Sequence, residues 1–169
     1  VVGTDSSTDV GVIRVTGVDD LAVATLALGV DLQVGQTAVA IGSPFGLDQT
    51  VTAGIVSAVG RSTETSGSDG VTRAIPAIQT DAPINSGNSG GALIDAHGQL
   101  IGVNTAIYSQ SGGSSGIGLA IPTDIAVRTM RDLIEYGHPV RGWLGIEVTR
   151  VPPQAMSAEP VAVRTNPGG

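Results

Sequence analysis

Short apolar runs separated by glycine, proline and polar turns fill the chain as far as Ile121. Residues 10–15, 37–42, 50–59, 74–80, 91–94, 99–107 and 116–121 each read as a strand, and residues 1–3 are strand-like. Gly54, inside one of these runs, marks a bulge or bend. Asp95-Ala96-His97-Gly98 reads as the turn of a hairpin. Residues 61–69 are polar and rich in Ser, Thr and Gly, which predicts a loop, and 108–115 predict a second. The period changes at Pro122: Ile125, Met130, Leu133 and Ile134 fall on one face of a helix over residues 123–136. Thr123 or Asp124 is expected to cap its start and Gly137 to end it. His138-Pro139 break the chain, residues 143–148 resemble a fresh strand, and residues 161–164 a last one. Many strands, one late helix and no βα alternation predict a mainly β protein of the antiparallel barrel class.

Composition narrows the function. Apolar residues make up 41%, enough for a core, whereas charged residues are only 14%, against about 25% in an average chain. The net charge of −7 and eight scattered Arg with no Lys argue against nucleic acid and against an anionic membrane surface, since both need a basic patch. The absence of Cys excludes disulfides, a thiolate nucleophile and thiolate metal sites. The two His lie far apart, so no metal or organic cofactor is implied.

One segment carries chemistry: Asp81-Ala82-Pro83-Ile84-Asn85-Ser86 followed by Gly87-Asn88-Ser89-Gly90-Gly91. A nucleophilic serine needs an exposed Oγ on a tight turn and backbone N–H groups aimed at the developing oxyanion. Glycine on both sides permits positive φ and close approach of a substrate. The N–H groups of Gly87 and Ser89, with Asn88 as a third, are the natural donors. A lone Gly-rich turn with a bystander Ser would fit the same five residues; the surrounding segments separate the two readings.

Gln79-Thr80-Asp81-Ala82, Ile84-Asn85 and Gly87-Asn88-Ser89-Gly90-Gly91-Ala92-Leu93 resemble the active-serine region of the HtrA (Deg-type) serine proteases. Ile101-Gly102-Val103-Asn104-Thr105-Ala106-Ile107 and Gly116-Ile117-Gly118-Leu119-Ala120-Ile121-Pro122 resemble the segments that follow it there. Upstream, Val39 to Leu47 and Val51 to Ser57 also fit, as does Thr8-Asp9-Val10-Gly11-Val12-Ile13, with Gly11 where the family usually has Ala. The resemblance implies a chymotrypsin-like double β-barrel: part of the first barrel, the second barrel and a C-terminal helix over residues 1–136. A linker at 137–142 and the truncated start of a PDZ domain at 143–169 would follow. It implies Asp9 as the orienting acid and Ser89 as the nucleophile, in the chain order His, Asp, Ser. Asp81 has the position of a structural carboxylate and stays outside the triad.

The general base is the departure. Only eight residues precede Asp9, His97 falls in a hairpin turn, and His138 falls beyond the helix. The 169 residues therefore read as an internal piece, not itself hydrolytic, of a parent serine endopeptidase. The competing reading is a pseudoprotease, a chaperone-like peptide-binding module. By resemblance Ile84, Ile117 and Ile107 line the pocket for the residue before the cut. None is charged, and Pro83 occupies the position of an acidic floor. Cleavage after small or medium aliphatic residues is expected, because a pocket without a carboxylate cannot pair Arg or Lys. The resemblance implies that residues 61–73 and 108–115 are loops that switch the oxyanion site; plain long surface loops are the alternative reading of the same Gly- and Ser-rich composition. Leu144-Gly145-Ile146 would give backbone N–H groups to the C-terminal carboxylate of a peptide that adds as a strand. The family implies misfolded proteins and C-terminal peptides as partners, a homotrimeric parent, and an extracytoplasmic location in the periplasm or cell envelope with membrane anchoring open.

Overall fold

The computed structural model describes residues 1–44, 49–66, 72–107 and 115–142. Val1–Pro139 form one compact unit; of the second, Val140–Gly169, only residues 140–142 are described, without regular structure. The expected PDZ start, with Leu144, Gly145 and Ile146, lies outside the described residues, as does the expected loop over 108–114.

Among its described residues the first unit has eight strands and a helix. In chain order they are β1 (Gly3–Asp5), β2 (Val10–Val12), β3 (Thr37–Gly42), β4 (Thr50–Ser66), β5 (Thr72–Thr80), β6 (Ala92–Ile94), β7 (Leu100–Ile107), β8 (Gly118–Pro122) and α1 (Thr123–Tyr136). β1 and β2 form a two-stranded antiparallel sheet. The other six close into an antiparallel barrel in the order β3-β4-β5-β8-β7-β6, with β6 pairing back onto β3 through Val39 with Ile94 and Ala40 with Leu93.

Alternation along β3 turns Ala38 and Ala40 inward, where they meet Val56, Ile78, Ala82, Ile84, Leu93, Ile101 and Ala120. Small aliphatic residues suit a narrow six-stranded interior, and they account for a core built with a single Phe in the whole chain. Residues 25–29 are fastened to β7 and α1, and Ala27 joins the buried core. Leu100 N donates to Thr25 O (2.7 Å), Ala27 N to Leu100 O (3.0 Å), and Gly29 N to the Asp124 carboxylate (3.1 Å).

The structure departs from the sequence reading in several places. Strand β2 stops at Val12, and Ile13 is 72% exposed, because no described strand pairs with residues 13–15. The loop predicted from residue 61 is β structure: β4 runs on to Ser66 and pairs with β5 from Thr72. Its Ser and Thr residues suit a pleated surface as well as a loop, and the hairpin register extends them. Gly54 pairs regularly with Ala38; the register shifts fall between Val56 and Arg61 instead. At α1 neither expected cap operates. The N-cap is Pro122, the Thr123 hydroxyl donates to Leu100 O (2.8 Å), and Asp124 accepts from Gly29. Gly137 does end the helix, at φ +76° with its N–H on Leu133 O. The buried face is Thr123, Val127, Thr129 and Leu133, while Ile134 is exposed. Two threonines take positions that an apolar count skips, because their hydroxyls have partners.

Candidate active site

The serine loop is fastened before it turns. Past the end of β5, Asp81 Oδ1 accepts from Ile55 N (2.7 Å), Thr80 Oγ1 donates to Ile55 O (2.8 Å), and Thr52 Oγ1 donates to Pro83 O (2.8 Å). A Cβ at Gly54 would lie 2.3 Å from Asp81 Oδ1, so glycine there makes room for this crossing. Asp81 is thus structural, as its position implied.

The chain then makes two tight turns. Asn88 N donates to Asn85 O (3.0 Å), Gly90 N to Asn104 O (2.8 Å) and Gly91 N to Asn88 O (3.0 Å). Gly87 has φ +99° and Gly90 φ +83°, a region L side chains avoid. Asn88 is buried, with its amide 3.5 Å from Pro83 O. Ser89 stands exposed on this frame, as a nucleophile must. Among the described residues, the N–H groups of Gly87 and Ser89 donate to nothing, which leaves them open to an oxyanion. The Asn88 N–H is already on Asn85 O, so the third expected donor is committed to the turn.

Asp9 comes from the other sheet. It sits in the turn between β1 and β2 at φ +55°. The two predicted catalytic residues meet on one residue that the sequence reading did not single out. Ser89 Oγ donates to Thr105 O (3.0 Å), and Thr105 Oγ1 donates to Asp9 Oδ2. Thr105 lies near the end of β7. A hydroxyl residue in the middle of the apolar run Ile101 to Ile107 was the signal that could have drawn attention to it.

Neither histidine joins them. His97 is in the β6–β7 turn, its side chain 84% exposed, with Nδ1 3.5 Å from Asp95 Oδ2. Eight residue-to-residue steps through the turn and β7 separate it from Thr105, roughly 25 Å at strand rise. His138 lies past α1, its Nδ1 3.3 Å from Pro139 O. Asp95 stabilises the turn. Burial raises its pKa, but the N–H groups of Gln99 and His97, both 2.8 Å from Oδ1, outweigh this and hold it below the usual carboxylate value. No three His, Asp or Glu side chains converge as a metal site would need, among the described residues.

Of the residues expected to line the pocket, Ile84 is 1% exposed and belongs to the barrel core. A Cβ on Gly118 would lie 2.8 Å from Ile84 Cδ1, so the isoleucine packs directly against the β8 backbone. Ile117 is 36% exposed, next to Gly118. Ile107 ends β7, its backbone paired with Gly118. Beyond Val103, β7 pairs with β8 on one side and has no β6 residue opposite on the other. On that side Asn104 bonds to Gly90 N and Gly91 O instead, so residues 105–107 are the part of β7 that faces no other described strand, beside Ser89.

A closed six-stranded antiparallel barrel, a glycine-framed serine and an aspartate reaching it from a second sheet define a chymotrypsin-like serine hydrolase architecture. The chain belongs to the trypsin-like peptidase domain family, which matches residues 1–103 and so includes both Asp9 and Ser89. Its relatives are the DegP/HtrA serine proteases. It is 47% identical over 150 residues to a probable periplasmic serine endoprotease DegP-like of Pseudomonas fluorescens, covering 89% of this chain and 30% of the relative. It is 48% identical over 157 residues to the serine protease PepD of Mycobacterium tuberculosis, covering 88% and 34%. Among solved structures, the HtrA-type protease AlgW with tripeptide matches at a TM-score of 0.74 and 48% identity, over 90% of this chain and 49% of that one. The chain thus spans about a third of the length of these two curated relatives.

Proposed function

We propose that this chain carries the nucleophile, the orienting acid and the oxyanion donors of an HtrA-type serine endopeptidase. Ser89 Oγ attacks the scissile carbonyl, and the N–H groups of Gly87 and Ser89 hold the oxyanion. Asp9 orients an imidazole general base that is contributed from outside the 169 residues, since His97 and His138 are both placed elsewhere. The observation that carries this reading is the convergence of Ser89 and Asp9 on the carbonyl and the hydroxyl of Thr105. An extended substrate would add as an antiparallel strand to the edge of β7 at residues 105–107, which brings its scissile bond to Ser89. Gly118, with Ile84 packed beneath it, supports a shallow uncharged pocket and cleavage after small aliphatic residues.

The same reading takes residues 1–136 as part of the protease domain, 137–142 as a linker and 143–169 as the start of a PDZ domain. Peptides and unfolded proteins are its substrates; the AlgW structures with tripeptide and decapeptide support peptide binding. Relatives named periplasmic support an extracytoplasmic location. A homotrimeric parent completes the proposal.

The test is labelling of the full-length gene product with a fluorophosphonate, followed by peptide mapping. The expected result is one covalent adduct, on Ser89, and loss of both adduct and casein cleavage in Ser89→Ala. An unlabelled Ser89 in a folded full-length protein would overturn the protease reading and favour a peptide-binding module without catalysis.

A further inference from the structure

Asp5 is buried at 6% exposure, four residues before Asp9, and its carboxylate has no role in the reading above. Its two oxygens are used separately. Oδ1 accepts from Ser7 N (3.1 Å) and Ser7 Oγ (2.6 Å); Oδ2 accepts from Thr8 Oγ1 (2.6 Å). Both partners lie between Asp5 and Asp9, so the carboxylate gathers the turn that presents Asp9. Charge-assisted bonds of this kind are short and roughly twice as strong as neutral ones.

The turn needs such a hold. Asp9 adopts φ +55°, in the left-handed region that few residues other than Gly, Asn and Asp enter. Strained conformers persist only where surrounding contacts over-determine them. A second contact comes from far along the chain: Thr129 Oγ1, on the buried face of α1, lies 3.3 Å from Thr8 Oγ1. The single hydroxyl hydrogen of Thr8 goes to Asp5, so Thr129 is the donor of this pair. Next to it, Leu133 of α1 packs on β1, where a Cβ at Gly3 would come within 3.1 Å of Leu133 Cδ2. The helix that leaves the barrel thereby braces the turn that belongs to the other sheet.

We propose that Asp5 is a positioning residue for Asp9, acting through Ser7 and Thr8 with Thr129 of α1 as the outer brace. The proposal rests on Asp9 being the acid that orients the general base, and the experiment separates the two. In the full-length protein, Asp9→Asn, Asp5→Ala, Asp5→Asn and Thr8→Val are compared for kcat, KM and the pH dependence of kcat on a fluorogenic peptide, below the melting temperature of every variant. Asp9→Asn is expected to lose about 10⁴-fold in kcat, as for a triad acid. Asp5→Ala should lose on the order of 10²-fold, the effect of an ångström-scale misplacement. KM should stay within about twofold, since binding contacts are untouched. The acid limb should move to lower pH, because a displaced carboxylate no longer stabilises the imidazolium. Asp5→Asn, which keeps one acceptor oxygen, should recover part of both changes.

If Asp5→Ala fails to fold, Thr8→Val decides, because it removes only the hydroxyl that links Asp5 to Thr129. A folded Thr8→Val with unchanged kcat and acid limb overturns the proposal, as does an Asp5→Ala variant that loses only thermal stability. If Asp9→Asn itself remains within tenfold of the parent, the triad reading falls and the positioning role falls with it.

Discussion

Two adjacent glycines beside Ser89 are required for different reasons, and substitution separates them. At Gly91 the backbone is unstrained but there is no space. A Cβ would sit 2.0 Å from Ile41 O and 2.9 Å from Asn88 O. The first distance is about 1.5 Å short of an optimal carbon contact. The Ile41 carbonyl cannot retreat easily: its residue pairs with Val51 across β3 and β4, and the Asn104 amide donates to it at 3.3 Å. The Asn88 carbonyl is held by Gly91's own N–H. At Gly90 the situation is reversed. No atom lies within 4 Å of a Cβ, but φ is +83°.

Gly90→Ala should therefore cost only the left-handed penalty, about 1–2 kcal/mol, with the loop in place. Gly91→Ala should cost about 3 kcal/mol or more, at the top of the overpacking range, because two backbone carbonyls must move. The assay is urea denaturation of the 169-residue chain and its variants, with the stability change read at constant slope. Gly90→Asn should fall below Gly90→Ala in cost, since Asn tolerates positive φ. A Gly91→Ala variant no less stable than Gly90→Ala would refute the argument, because it would mean that the β3 backbone yields freely under the serine loop.

Two further changes probe the supports of the site. Leu133→Ala, at a side chain 1% exposed between α1 and β1, should destabilise by about 2–5 kcal/mol in the same denaturation assay; a loss below about 1 kcal/mol would mean that the helix does not hold β1. Asp95→Asn should lower stability at neutral pH. The folded-state pKa of Asp95 is depressed, so its contribution is present above the unfolded value near 3.9 and disappears as pH falls through the lower folded value. Melting temperatures of parent and variant should thus converge on acidification below about pH 4; a gap that widens there would reverse the sign of the assignment.

Much of this architecture was legible because it depends on local chemistry. The span 37–42 reads directly as β3, since its small alternating residues can only be a half-buried strand, and the helix 123–136 follows from its period and from Gly137. The Asp95 to Gly98 turn is likewise encoded in four residues, with Gly98 at φ +75°. The failures lie where tertiary contacts decide. Thr123 and Asp124 have the right chemistry for a helix cap, yet Leu100 O and Gly29 N claim them instead. Ile134 has the right period for the buried face, but the surface that α1 covers selects Thr129 and Leu133. Residues 61–66 have loop composition, and only pairing with β5 makes them a strand.

The same division runs through the site itself. The Ser89 side takes its shape from glycine: Gly87 and Gly90 supply positive φ, and Gly91 supplies space, so five consecutive residues mark the candidate nucleophile. The Asp9 side adopts a left-handed backbone angle with an aspartate, one of the few residues besides glycine that enter that region. No local pattern can announce that, because the conformation is imposed by a buried carboxylate at Asp5 and by a hydroxyl on α1, 120 residues further along the chain. Thr105 then joins the two halves through one residue, its carbonyl on Ser89 and its hydroxyl on Asp9. The distant contacts of the serine loop come from β3, β4 and β7, whereas those of the Asp9 turn come from α1. Perturbations of α1 should therefore reach catalysis through Asp9 rather than through Ser89.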